Sequence, residues 1–278
     1  MHPLENHIIQ LQELTLIREE QKVAAGRAHL EQLDASIKEM TEKLPEAIKY
    51  RFTRLHKKDP VAIVPISAEL CAACGMKLPI SLIQAVRLGR DIHACPNCAR
   101  MLYFPESAPR WVGKRPTRAE PAKEGIARFS SHTLMIPKLE SEDKEGIIRE
   151  LAYKMENEGF VDKAEKLVQM ALEREAIIST AVDNGLAFPH VRGVEGGGLT
   201  LAMGLTSKPL SLNSLDKNQT RIVFFLVIPT AASAFYLKLL SGLTEAFMKP
   251  EARKAVLAEK EPEKLWKALV KITRATIK

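Results

Sequence analysis

The sequence predicts a multidomain chain with three architectures in series. These are an N-terminal α-helical coiled coil, a small module clasped by cysteines, and a C-terminal α/β sandwich, a mixed sheet flanked by helices. Three observations carry this. Apolar residues recur at spacings of three and four through residues 30–44. All four cysteines fall in two Cys-x-x-Cys pairs between positions 71 and 98. Beyond residue 129, amphipathic helix patterns bracket short apolar runs. The expected boundaries are 1–58, 59–104, a linker over 105–128, and 129–278.

The first segment is helical by its period. Leu30, Leu33, Ile37, Met40 and Leu44 form a coiled-coil seam, and Leu4, Ile8 and Leu11 begin a similar stripe upstream. Gly26 interrupts at a cost of about 1 kcal/mol relative to Ala. Pro45 and Glu46 read as the first turn of a further helix, Glu46 to Lys58. A stripe over half of a long helix must be buried. Either the segment folds back as a hairpin or it pairs with a second chain as a homodimer.

In the second segment Cys71, Cys74, Cys95 and Cys98 make two knuckles separated by 20 residues. That spacing is in the zinc-ribbon range, and four thiolates close a tetrahedral Zn2+ site with no open position, which makes it structural. Disulfides or a redox dithiol are the rival reading, disfavoured by two tight turns in a segment with no sizeable core of its own. His93, just before the second knuckle, packs on the ribbon in this reading. Leu55-His56-Lys57-Lys58, Ala68 to Pro79 and Cys95 to Tyr103 together resemble the bacterial C4-type zinc-ribbon proteins, in which a helical coiled coil precedes the ribbon. The resemblance supports fold and zinc more than activity.

Pro105, Pro109, Pro116 and Pro121, interleaved with Arg110, Lys114, Arg115, Arg118 and Lys123, make residues 105–128 an extended linker. The formal net charge is +7, and residues 71–128 hold ten basic side chains against four acidic ones. Such a patch attracts phosphate-bearing partners, nucleic acid among them, or is simply a solvated basic linker. No apolar run approaches the roughly 18–20 residues of a membrane span. Met1 to Asn6 lacks a basic patch leading into an apolar core, so the expected location is cytoplasmic, without membrane insertion.

In the third segment, Asp143 to Asn157 and Asp162 to Glu175 read as amphipathic helices with the two aspartates as N-caps. Strands are expected over Ala187 to Val191, Leu199 to Leu205 and Ile222 to Ile228. Helices follow over Ser233 to Met248, Glu251 to Ala258 and Pro262 to Thr273. Gly196, Gly197 and Gly198 fit no phosphate-loop pattern and read as a loop between strands.

The stretch Glu173-Arg174-Glu175, Ser179-Thr180, Asp183-Asn184-Gly185 and Pro189-His190 ends a helix, crosses a polar turn and arrives at one histidine. A neutral imidazole offers an unprotonated nitrogen as a nucleophile. With Leu151-Ala152 and Phe224 to Pro229, this run resembles the type 2 enzyme IIA domains of the bacterial sugar phosphotransferase system, the fructose, mannitol and nitrogen-regulatory branch. The resemblance implies a phosphocarrier. His190 accepts a phosphoryl group from an HPr-like carrier and passes it to an enzyme IIB or uses it as a regulatory signal, with no metal or nucleotide taking part. It makes Arg174 the cation that neutralises the phosphate, against the alternative of a surface ion pair. Thr180 either donates a hydroxyl to the phosphate or caps the turn. The family's second histidine is missing, since no histidine follows His190, and Tyr236 stands in that place. Tyrosine donates a hydrogen bond but supplies no positive charge. An alternative function is a regulatory binding protein, whose coiled coil and basic ribbon, residues 71–128, hold nucleic acid or a protein under control of the C-terminal domain.

Overall fold

A computed structural model of the chain describes residues 3–24, 30–105, 112–113, 123–194, 198–212, 219–229 and 232–278. Gly26, Gly196, Gly197 and most of the expected linker lie outside these. The chain divides into two compact units at residues 108/109, with Ser233–Leu237 grouping with the first.

In the first unit, helix α1 (Pro3–Ala24) packs on α2 (Leu30–Glu42) as a hairpin within one chain. Ile8 and Leu11 meet Leu44 in one core, with Ile37 and Met40 packed against it. The His7 Nε2 donates to the Met40 carbonyl at 2.8 Å, and Arg18 pairs with Asp34 across the hairpin. Helix α3 (Glu46–His56) starts after Pro45 as expected and ends two residues before Lys58.

A three-stranded sheet follows, β1 (Ile63–Ser67), β2 (Leu70–Cys71) and β3 (Met101–Tyr103), in the order β2-β1-β3. Helix α4 (Ile80–Leu88) lies between the knuckles, capped by Gly89 at φ 59°. The sequence pattern did not announce these strands or α4. Leu16 of α1 shares a core with Val64, Ile66, Cys71, Ile83, Val86, Cys95 and Leu102. The ribbon therefore borrows its apolar interior from the helix before it. Gln12 of α1 substitutes for a neighbouring strand: its Oε1 accepts the Ala62 and Ile63 amides at 2.6 and 2.8 Å, and its Nε2 donates to the Ile63 carbonyl at 3.0 Å. Those amides are buried, so each requires such an acceptor.

In the second unit a 3-10 turn, Gly125–Arg128, with Ile126 buried, falls inside the expected linker. Strand β4 (Met135–Leu139) leads to α5 (Lys144–Asn157), whose N-cap Asp143 accepts the Gly146 amide at 2.8 Å. Helix α6 (Ala164–Ile177) starts differently from the sequence expectation. Asp162 is not its cap; Lys163 stands there at φ 56°, and the Ala164 amide donates to Glu156 of α5 at 2.8 Å. The first amide of the helix is thus satisfied by the neighbouring helix, while the Lys166 and Leu167 amides donate to Lys163 O at 3.0 and 3.2 Å.

Then come β5 (Ala181–Val182), β6 (Leu186–Ala187), β7 (His190–Val194), β8 (Thr200–Ser211) and β9 (Gln219–Pro229). The sheet order is β4-β8-β9-β6-β5, with β7 also on β9. Strand β9, buried from Ile222 to Pro229, is its spine. It runs antiparallel to β8 and parallel to both β6 and β7. The single strand expected over 187–191 is thus broken at Phe188-Pro189, where proline has no amide to give the ladder. Helices α7 (Ser233–Phe247), α8 (Pro250–Leu257) and α9 (Pro262–Thr273) close the chain. Helices α5 and α9 pack on β4, and α6 packs on β7.

Candidate functional site

The metal centre is built from two matching turns. In the first the Cys71 amide donates to Met76 O (3.0 Å) and the Gly75 amide to Cys71 O (2.8 Å). In the second the Cys95 amide donates to Arg100 O (2.8 Å) and the Ala99 amide to Cys95 O (2.9 Å). The residue after each second cysteine is left-handed, Gly75 at φ 71° and Ala99 at φ 61°. The four sulfurs lie within 4.8 Å of one another, the one such cluster among the described residues. A tetrahedral zinc at about 2.3 Å from each sulfur sets the sulfurs about 3.8 Å apart. The Cys71–Cys98 and Cys74–Cys95 Sγ separations are both 3.7 Å, so the residues fit the ion. His93 is outside the cluster.

As thiols Cys71 and Cys74 are unequal. Burial pushes Cys71 up to about 12. Burial opposes ionisation of Cys74 too, but hydrogen bonds from the Met76 amide and the Asn97 side chain bring it down to about 6. Arg100 lies beside the Cys98 sulfur, donates to Val61 O at 2.9 Å and pairs with Asp59 at 2.9 Å. It offsets the negative charge that four thiolates leave around a divalent ion.

The second constellation centres on His190, the first residue of β7, opposite Leu226 on the spine and only 1% exposed. Its Nδ1 is 2.9 Å from Phe188 O. A carbonyl only accepts, so Nδ1 carries the proton and the neutral ring keeps its lone pair on Nε2. The break in the edge strand makes this contact available. The Phe188 amide continues the β5–β6 ladder onto Thr180 O at 3.1 Å, and Leu226 N donates to Pro189 O at 3.0 Å. Phe188 itself stacks on Phe224, centroids 5.4 Å apart.

Thr180 is held in turn. Its amide donates to the Glu175 carboxylate at 3.1 and 3.3 Å, and its hydroxyl donates to the same group. Lys144 Nζ is 3.3 Å from Glu175 Oε2. A hydrogen-bonded chain therefore runs from Glu175 through Thr180 and Phe188 to the imidazole. Glu175 stands in the sequence motif but was given no role there; the structure shows it holding Thr180 across the end of α6. Arg174, buried on α6, donates from Nη1 to Ile178 O at 2.8 Å and ties down the exit from that helix. Asn184 and Gly185, both left-handed at φ 68° and 76°, form the turn between β5 and β6. A Cβ at Gly185 would sit 3.0 Å from Gln219 O, so the turn requires glycine twice over. Tyr236 is buried in the first turn of α7, within the stretch that groups with the N-terminal unit. The contacts described around His190 come from α6, β5, β6 and β7.

This arrangement of fold and histidine can be set beside known proteins. The family model described as phosphoenolpyruvate-dependent sugar phosphotransferase system, EIIA 2, matches residues 128–272, more than half of the chain. The chain belongs to that family. A second model, the C4-type zinc ribbon domain, matches residues 70–102, and the four cysteines form its structural zinc site. Relatives in the EIIA 2 family include the PTS system fructose-specific EIIABC component of Bacillus subtilis (strain 168). It is 29% identical over 134 residues, 48% of this chain and 21% of that protein. The chain thus matches about a fifth of that relative's length. The nitrogen regulatory protein of Bradyrhizobium diazoefficiens is 26% identical over 136 residues, 49% of this chain and 88% of that one. Among solved structures, nitrogen regulatory protein IIA-Ntr from Neisseria meningitidis is similar at a TM-score of 0.46 and 22% identity, covering 51% of this chain and 96% of that chain. No helix of the described residues is long and apolar enough to cross a membrane.

Proposed function

We propose that the protein is a phosphocarrier in which Nε2 of His190 takes a phosphoryl group from the phosphohistidine of an HPr-like carrier and hands it to an enzyme IIB or to a regulatory target. The carrying observation is the Nδ1–Phe188 contact at 2.9 Å, which selects the tautomer with the nucleophilic lone pair on Nε2. In the forward step that lone pair forms the new P–N bond while the donor ring's P–N bond breaks, its electrons staying on the donor nitrogen. No proton leaves Nδ1. The ring becomes a cationic phosphoimidazolium, and the Phe188 carbonyl faces that charge. Charge on the equatorial oxygens needs donors from the protein. Arg174 is the cation assigned to this role. Thr180, its proton engaged by Glu175, supports the backbone that orients the ring.

The test is incubation with phosphoenolpyruvate, enzyme I and HPr, read by intact mass. One acid-labile phosphoryl group on the wild type and none on His190→Ala supports the reading. No gain on the wild type sinks it.

A further inference from the structure

The ribbon presents a surface used by neither the metal nor phosphoryl transfer. Within residues 70–88, four large aliphatic side chains are exposed: Leu70 at 38%, Met76 at 40%, Ile80 at 67% and Leu88 at 66%. Together they account for four of the eleven exposed large hydrophobics among the described residues, in a small fraction of the chain. Their clustering is structural. Leu70 bridges antiparallel to Lys77, next to Met76, and Pro79 then starts α4 with Ile80 as its first residue. At 3.6 residues per turn, Arg87, Ile80, Gln84 and Leu88 fall within an arc of roughly 100°, and Ile80 and Leu88 are about 12 Å apart along the axis. The opposite face, Ile83 and Val86, is buried in the ribbon core.

The charge along α4 is positive: Arg87 lies on the arc and Arg90 follows the helix, whereas Lys77 beside Met76 is paired with Glu69 at 3.5 Å, and Asp91 is the one acidic residue in 71–104. Arg87 is steadied over the Phe104 ring, 4.9 Å from its centroid. Basic surface alone suits phosphates, but nucleic-acid surfaces pair it with exposed aromatic rings on which bases stack, and the exposed apolar groups on this patch are aliphatic. Aliphatic anchors ringed by cations fit a protein segment with carboxylates around its own apolar residues.

We propose that this face of the zinc ribbon docks an acidic amphipathic segment of a partner protein. Two apolar anchors about 12 Å apart meet Ile80 and Leu88, and flanking carboxylates meet Arg87 and Arg90. The inference stands apart from the phosphocarrier reading.

The test uses the full-length, zinc-loaded chain and fluorescence anisotropy with three probes. One is a helical peptide of about 16 residues with two leucines two turns apart among glutamates; the others are its scrambled version and a mixed-sequence single-stranded oligonucleotide. The amphipathic peptide should bind in preference to both. The double variant Ile80→Ser, Leu88→Ser, and separately Arg87→Glu with Arg90→Glu, should each weaken it about tenfold while zinc content stays unchanged. Absence of peptide binding, binding indifferent to the Ile80 and Leu88 changes, or tighter binding of the oligonucleotide that the arginine changes abolish, would each overturn the proposal.

Discussion

Replacing Glu175 by Ala removes the acceptor at the root of the chain that ends on His190. In the folded protein its carboxylate takes the amide and the hydroxyl of Thr180, both buried, and pairs with Lys144. A buried donor left without a partner costs about 1–3 kcal/mol. The Lys144 side chain is 32% exposed, so water takes over its ammonium and that pair adds little. Two orphaned donors then cost about 2–6 kcal/mol. In a domain of this size each kcal/mol moves the melting temperature by roughly 2–4 °C, so a drop on the order of 10 °C is expected in the transition of the C-terminal unit. Scanning calorimetry with zinc present resolves it. Thr180→Val removes only the hydroxyl and should cost about 1–2 kcal/mol. A Glu175→Ala melt within about 2 °C of wild type, or a Thr180→Val protein less stable than Glu175→Ala, would refute the reasoning.

Gln12→Leu keeps bulk but strands the buried Ala62 and Ile63 amides, and should destabilise the N-terminal unit by about 2–4 kcal/mol in denaturant titrations. Ala99→Gly relieves a left-handed alanine in the second knuckle and should strengthen that unit by about 1 kcal/mol, read as higher zinc retention against a chelator. Burial holds the His56 imidazole below its ordinary pKa, stacked on Phe52. The unfolded chain takes up that proton near pH 6.5 before the folded one does, so stability present above that pH is lost as pH falls; His56→Gln should flatten this acid slope relative to wild type. Removing zinc with a strong chelator should melt the N-terminal unit, whose core includes Cys71 and Cys95, and leave the C-terminal transition in place. Circular dichroism and calorimetry together check both halves of that expectation.

What was legible in the sequence was what local spacing dictates. Two Cys-x-x-Cys turns specify their own geometry, and the sulfurs arrive 3.7 Å apart. The amphipathic helices α5 and α9 were readable because their buried stripes are long. Three features hid because tertiary contacts decide them. Strand β4 has buried ends around a half-exposed Pro137 and shows no alternation. The acceptor for the first amide of α6 is Glu156 on another helix, which local sequence does not reveal. The coiled-coil stripe was ambiguous between hairpin and dimer until α1 was seen against α2. At the site, the histidine stood out through its motif, but the hold of Glu175 on Thr180 depends on how α6 ends.

The broken edge strand has a consequence for how this segment can vary. Strands β6 and β7 are each pinned to β9, at Leu186–Ile222 and Ala187–Val223 on one side and from His190–Leu226 on the other. Two residues span the gap, and both are tied down, Phe188 to Thr180 and Pro189 to Leu226. An insertion or deletion between Ala187 and His190 has no slack to absorb it, and a one-residue slip would turn the imidazole to the opposite face of the sheet. Across descendants of this gene, the stretch from 186 to 194 should therefore drift by substitution at constant length.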